Sequence, residues 1–243
     1  MNTFSTLKGI GIAIVVFLLL SFTIFNRING SGNIVKEERS VSTFNCIEAG
    51  GAFEIIIVKG DQQSLIIETD DNIIDRIVSE VRNGELELHT NGNINNVTKM
   101  VVYITMAELK DIDLSGAASL TSESRFENDD MDFELSGASS SDLKIKCNKL
   151  DVDISGAANI NLSGYAANID LECSGASNFK AFELEADDAK IDCSGASNVK
   201  ISVTKSLIGE ASGASSITYK GNPAKVDVRT SGASDINRKK ILF

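Results

Sequence analysis

Ser155-Gly156-Ala157-Ala158-Asn159-Ile160-Asn161-Leu162 returns as Ser174-Gly175-Ala176-Ser177-Asn178-Phe179-Lys180. Ser-Gly-Ala in fact begins at Ser115, Ser136, Ser155, Ser174, Ser194, Ser212 and Ser231, at intervals of 21, 19, 19, 20, 18 and 19 residues. A fixed period of about twenty residues is the mark of a solenoid, in which each repeat stacks on its neighbours. Numbered from the Ser, positions −5, −3 and −1 are apolar or small in nearly every copy, as in Leu150/Val152/Ile154 and Ile169/Leu171/Cys173. The residues between them are polar, which is the period-two pattern of a strand with one buried face. Position +5 is apolar again (Leu120, Ile160, Phe179, Val199, Ile217, Ile236), and +7 often follows (Leu162, Ile201, Tyr219). The copy at Ser136 delays this to Leu143 and Ile145, which reads as a small insertion. Each repeat is therefore strand, Ser-Gly-Ala corner, strand and a variable return. Gly suits a corner with positive φ, and Ala suits a place where a larger side chain would crowd the next rung.

A weaker form of the template extends upstream. Ile47 and Ala49 precede Gly50-Gly51-Ala52, Leu65/Ile67/Thr69 precede Asp70-Asp71-Asn72, and Leu86/Leu88/Thr90 precede Asn91-Gly92-Asn93. This predicts about ten rungs of 18–24 residues with a degenerate N-terminal end. Ile73, Ile74, Ile77, Val78 and Val81 have helical spacing and predict a short helix over 72–81. Asn83-Gly84 then turns the chain into a strand over 85–90. Strand-rich rungs of this length imply an all-β, parallel β-helix, taken as right-handed because parallel crossovers almost always are. An Ig-like sandwich is the runner-up, but it predicts no repeated corner.

The 243-residue chain is 42% hydrophobic and carries a net charge of −11, with one His and no Trp. The acidic balance argues against nucleic acid, whose phosphates need a basic face. Four cysteines (Cys46, Cys147, Cys173, Cys193) are too few for a disulfide scaffold and lack zinc-site spacing. Gly9 to Phe25 is uncharged, with Lys8 before it and Arg27 after it. It reads as an N-terminal hydrophobic helix that targets or anchors the chain in a membrane. An uncleaved anchor and a cleaved signal peptide both remain open, and either exports the remainder to the envelope, the cell surface or the periplasm. Asn26 to Asn33 reads as a polar linker. The domain division is thus 1–29, signal or anchor with linker, and 30–243, one solenoid.

Gly30-Ser31-Gly32-Asn33-Ile34-Val35, then Phe44, Ile47-Glu48, Gly51-Ala52-Phe53-Glu54, Gly60-Asp61 and Asp70-Asp71-Asn72, together with the Ser-Gly-Ala-Ser repeats, resemble the head GIN domain family. The likeness covers roughly 31–237. It implies an exported right-handed β-solenoid with an auto-transporter adhesin label and no catalytic motif. The family often has a cleavable signal or a lipoprotein Cys, and this chain has no clear version of either.

Aligned on the corners, position −2 reads Glu48, Glu68, His89, Asp113, Glu134, Asp153, Glu172, Asp192, Glu210 and Arg229. Position −4 adds Glu87, Asp111, Asp132, Asp151, Asp170 and Asp227. An acidic stripe on one outer face follows. Asp111, Asp113, Asp132, Glu134, Asp151, Asp153, Asp170 and Glu172 are its candidate cation ligands, with Ca²⁺ the fitting ion because it takes carboxylate oxygens. The plainer reading is a solvated face that prevents sheet-on-sheet association. Cys173 and Cys193 fall at −1 in adjacent rungs, as buried thiols within disulfide reach. Cys46 falls at an outward −4 position. His89 would have to serve any Ser-His-Asp triad, and no nucleophile accompanies it. The expectation is a non-enzymatic envelope or surface scaffold, an adhesin, whose partner is a glycan or a protein. The alternatives are a polysaccharide-acting enzyme, which would need two carboxylates at one groove, and a purely structural envelope protein.

Overall fold

The computed structural model describes residues 27–239. The apolar segment 9–25 and the tail 240–243 lie outside the described residues. The chain begins with β1 (Ile28–Asn29), β2 (Ile34–Arg39), β3 (Cys46–Gly51), β4 (Glu54–Lys59) and β5 (Ser64–Asp70). One 3-10 turn, Ile74–Arg76, leads to β6 (Ile77–Arg82), β7 (Glu85–Thr90), β8 (Ile94–Asn95) and β9 (Met100–Met106). The repeats follow as β10 (Asp111–Gly116), β11 (Ser119–Glu127), β12 (Asp130–Leu135), β13 (Ser140–Ile154), β14 (Asn159–Cys173), β15 (Asn178–Cys193) and β16 (Asn198–Ala211). The last turn holds β17 (Ser216–Lys220), β18 (Lys225–Thr230) and β19 (Asp235–Arg238).

Every repeat pairs in parallel with the next. Ile154 lies beside Cys173, Cys173 beside Cys193, and Cys193 beside Ala211. This is a β-solenoid of about seven turns with 68% of its residues in strands. The parallel ladders around Ser155 and Ser174 exclude the sandwich. Strands entering the corners stack in the order β7, β3, β10, β12, then the second halves of β13 to β16, and finally β18. Strands leaving the corners stack as β9, β4, β11, the first halves of β13 to β16, then β17 and β19. The core lies between the two runs and is filled by the alternate residues foreseen from the repeat, such as Phe133 and Phe179, together with Phe53 and Phe126, which the repeat template does not mark.

The corner geometry explains the motif. Ala138 N–H donates to the Gly116 carbonyl at 2.7 Å, Ala157 N–H to Gly137, and Ala176 N–H to Gly156, all at the same length. Gly137 and Gly156 each have φ +69°, a region that L-residues with a side chain avoid. A Cβ on Gly156 would stand 2.7 Å from the Gly137 carbonyl oxygen. The motif's Ala is exposed, so crowding does not select it. The crowded place is the residue after it (Ala118, Ser139, Ala158, Ser177, Ser197, Ser215), which is buried in every copy but the last, where Ser234 is half-buried. Ser197 and Ser215 hydroxyls donate at 2.7 Å to the carbonyls of Ser194 and Ser212, closing the turn on itself.

Ten rungs overstated the stack, and the reason lies before residue 107. β5 carries Leu65, Ile67 and Thr69 as predicted, but it runs antiparallel between β2 and β9 and makes no rung. β7 does stack in parallel on β3, with Leu88 beside Ala49, two residues out of the predicted register. The helix expected over 72–81 is the single turn Ile74–Arg76 followed by strand β6. Its β-branched residues suit a strand, and Asn83 and Gly84, at φ 52° and 85°, close the tight hairpin that pairs β6 with β7. Nor is there an insertion after Ser136. Ser141 lies beside Ile160 and Leu143 beside Leu162, so a serine occupies a core position. Differences in repeat length are absorbed by register shifts such as that between Thr121 and Arg125.

The stretch read as a linker is tied down. The Asp70 carboxylate accepts from the N–H of Gly32 (2.6 Å), the N–H of Thr98 (2.8 Å) and the Thr98 hydroxyl (2.9 Å). Asn72 accepts from the Ser31 N–H and donates to the Asn29 carbonyl. Asp70-Asp71-Asn72 is thus a clasp for the chain's entry, rather than a rung corner.

Gly156→Ala should cost about 3–5 kcal/mol in chemical denaturation, combining left-handed strain with overlap on the rung below. The neighbouring Ala157→Ser, on the exposed side of the same corner, should stay within about 0.5 kcal/mol of wild type. Equal effects of the two would contradict the stacked-backbone account.

Candidate functional site

Alternation leaves the outward residues of the entering strands in register. One column runs Glu87, Glu48, Asp113, Glu134, Asp153, Glu172, Asp192 and Glu210, and ends on Arg229. The parallel column two residues earlier runs Glu85, Cys46, Asp111, Asp132, Asp151, Asp170, Lys190, Ile208 and Asp227. All eight sequence-derived candidates, Asp111, Asp113, Asp132, Glu134, Asp151, Asp153, Asp170 and Glu172, therefore share one face on four successive strands. Glu68 does not, because β5 is antiparallel; it faces Lys36 and holds Lys99 at 2.7 Å. His89 lies exposed, one residue past the paired Leu88, and Glu87 takes the place beside Glu48. Glu85, which the corner alignment passed over, joins the block through its pairing with Cys46. Only the two-residue register change of β7 reveals it.

Neighbouring strands are about 4.8 Å apart, so Glu48, Asp113, Glu134, Asp153, Glu172 and Asp192 in one column, and Asp132 and Asp151 in the other, each face another acid above and below. Asp111 lies between Cys46 and Asp132. Counter-ions stand at the margins: Arg82 holds Glu87 at 2.9 Å, Lys190 holds Asp170 at 2.9 Å, and Lys149 pairs with Asp151. In the centre, Glu48, Asp111, Asp113, Asp132 and Glu134 have no ion pair among the described residues. Partial burial pushes the Asp111 carboxyl up to about 6, with repulsion from Asp132, Glu85, Glu134 and Asp113 adding to it. Burial, then the neighbouring carboxylates, likewise raises Glu48, Asp132 and Glu134, and burial raises Asp113. The half-buried Cys46 thiol is raised by burial, Asp111 and Glu85. Among the described residues, no three His, Cys, Asp or Glu side chains converge as a ready metal cage.

Inside the coil, Cys173 and Cys193 are buried free thiols in adjacent rungs, as their −1 positions foretold. Contact with Cys193 and burial hold the Cys173 thiol well above the ordinary range. Burial pushes Cys147 up to about 12. These thiols serve as small core residues.

A family model described as "Putative auto-transporter adhesin, head GIN domain" matches residues 43–223, well over half of the chain. The chain belongs to this family. A crystal structure of a putative adhesin from Bacteroides fragilis is 27% identical, with a TM-score of 0.82, covering 87% of this chain and 100% of its own. A putative adhesin from Parabacteroides distasonis shares the fold at 21% identity and a TM-score of 0.75, covering 88% of this chain and 100% of its own. A putative lipid binding protein from the same species does so at 21% and 0.71, with the same coverage. No curated protein matches. The head GIN domain match ends at residue 223, so β18 and β19 lie beyond it.

The raised carboxylates set the sign of a pH effect. A carboxyl that binds its proton more tightly when folded than when unfolded makes folding more favourable as pH falls. Stability should therefore rise from pH 8 to about pH 5 as the central block takes up protons. Asp70 works in the opposite sense: burial raises it, but the N–H donors of Gly32, Thr98 and Lys99 and the Thr98 hydroxyl outweigh this and hold it low. Its contribution is lost as pH falls further, below the usual carboxylate range. Asp111→Asn should stabilise the chain at pH 7 by up to about 1 kcal/mol and flatten the rise. Thermal melts across this pH range check both; a flat profile for the wild type would remove the repulsive-face account.

Proposed function

We propose that this head GIN domain chain is an exported, non-enzymatic adhesin that presents the acidic face to its ligand, with the apolar segment 9–25 holding it at a membrane. The observation that supports this reading is the central block of Glu48, Asp111, Asp113, Asp132 and Glu134. Across the strands these carboxylates lie beside other acids, or in the case of Asp111 beside Cys46 as well, and no basic residue is their ladder partner among the described residues. A face serving only solubility is better served by mixed charges of both signs, and the rungs nearer the C-terminus do carry Lys190 and Arg229 in the same columns. Bringing positive charge to the block relieves the repulsion, so it favours a cationic partner or a divalent ion that bridges to an anionic one. Ca²⁺ suits it through pairs of carboxylate oxygens from neighbouring strands. A glycan-cleaving reading would set two carboxylates apart at a groove, whereas here every central carboxylate continues a column.

Calorimetry of the chain with Ca²⁺ at pH 7 should give saturable heat, together with a rise in melting temperature. Asp111→Asn combined with Asp132→Asn should weaken binding by about tenfold, the equivalent of 1.4 kcal/mol. Absence of both heat and a melting shift would overturn the Ca²⁺ reading.

A further inference from the structure

The two ends of the coil are finished differently. At the start, antiparallel strands β2, β5 and β6 close the sheet edges, and the neighbouring Phe44, Ile73 and Ile74 are buried. At the other end, β18 and β19 are edge strands with no further partner among the described residues. Every residue of β18 is exposed. Val226 and Val228 stand 44% and 38% exposed, although the same inward positions one turn earlier, Leu207 and Gly209, lie covered in the core. An apolar parallel edge of this kind invites pairing with another strand.

The charge along β18 says what that strand is. Its outward residues are Lys225, Asp227 and Arg229, and Arg229 is the basic residue that ends a column of eight acids. Antiparallel pairing with an identical strand, centred on Val228, sets Asp227 opposite the partner's Arg229 and Arg229 opposite the partner's Asp227. It also lays Val228 against the partner's Val228, and Val226 beside the partner's Thr230. Residues directly opposite in an antiparallel pair point to the same face, so the charges meet outside and the valines inside.

The second edge fits the same rotation. Val228 Cγ1 and Ile236 Cδ1 lie 3.4 and 3.6 Å from the point where a Cβ on Gly209 would stand, so the two side chains face one another across the core. A twofold axis through Val228 therefore passes near Ile236. Pairing of β19 about Ile236 sets Asp235 opposite the partner's Asn237, a carboxylate against an amide donor. Both ladders close in one isologous contact.

We propose that the last turn of the solenoid is a docking surface for a second copy of this chain, which joins two coils end to end through β18 and β19. Mixed parallel and antiparallel sheets are common, and this chain already makes such a junction where β5 meets β9. The pairing would extend the acidic face across the junction into a second coil.

Sedimentation equilibrium of the full chain in density-matched detergent tests this. Wild type should contain two chains per particle at micromolar concentration. Asp227→Arg and Arg229→Asp each replace two opposite-charge contacts with two like-charge contacts, and each should raise the dissociation constant by about tenfold or more. The double variant restores complementarity in the reverse sense and should return to within about threefold of wild type. A single-chain particle for wild type, a dimer indifferent to either reversal, or a double variant no better than the singles would overturn the proposal. Both side chains are exposed on the terminal strand, so an unchanged circular dichroism spectrum serves to verify folding in each variant.

Discussion

Everything in this coil hangs on the approach of one peptide to the peptide one turn above it at the corner. The Ala N–H meets the Gly carbonyl at 2.7 Å from Ala117 on Gly51 to Ala233 on Gly213. No side chain fits between these backbones, and the chain must turn with positive φ at the same point. Glycine meets both demands, which is why the residue recurs while the flanking strands vary freely. Serine at the first position and a small buried residue at the fourth finish the turn. The latter is not free of cost, since the buried Ser139 hydroxyl finds no hydrogen-bond partner among the described residues.

Once the corners are in register, so is everything else. A parallel ladder copies a residue's direction from strand to strand, so a preference repeated at one position becomes a column at strand spacing. The same device therefore builds a continuous apolar core on one side and accumulates repulsion on the other. The attraction wins because apolar burial and backbone hydrogen bonds act at every residue. The like charges, by contrast, lie at the surface, where water and salt screen them. What repulsion remains is concentrated around Asp111, where burial is marked and the carboxylates make no ion pair among the described residues. Toward the C-terminus Lys190 and Arg229 break the columns and relieve it.

Most of the repeated part of the chain was legible residue by residue, Ser141 and the exposed Val226 and Val228 of the last turn being exceptions. The buried positions, the outward acids and the paired thiols at 173 and 193 follow from counting backward from each Ser. Between residues 27 and 106 only part was: the corner at Gly50 and the turn at Asn83-Gly84 stand where they were read, but elsewhere the alternating pattern is shared by parallel and antiparallel strands alike. Leu65, Ile67 and Thr69 look the same whether β5 stacks as a rung or runs backward between β2 and β9. Over 72–81, five aliphatic residues satisfy helical spacing, and only the presence of β7 as a partner makes β6 a strand. Ser141 misled in the other direction, since a polar residue in a core position resembles a slipped register.

By itself the sequence determined a periodic β-coil with a glycine corner, an apolar inside and an acidic outside, because a two-residue alternation and a twenty-residue period are local facts written along the chain. Only the tertiary structure decided how many turns the coil has, that Glu85 and Glu87 extend the acidic columns while His89 and Glu68 do not, and that Asp70 clasps the entry instead of turning a rung. Each of those depends on which strand lies beside which and in what direction. Pairing partners are chosen by the whole sheet at once, and a strand's own residues carry no record of its neighbour.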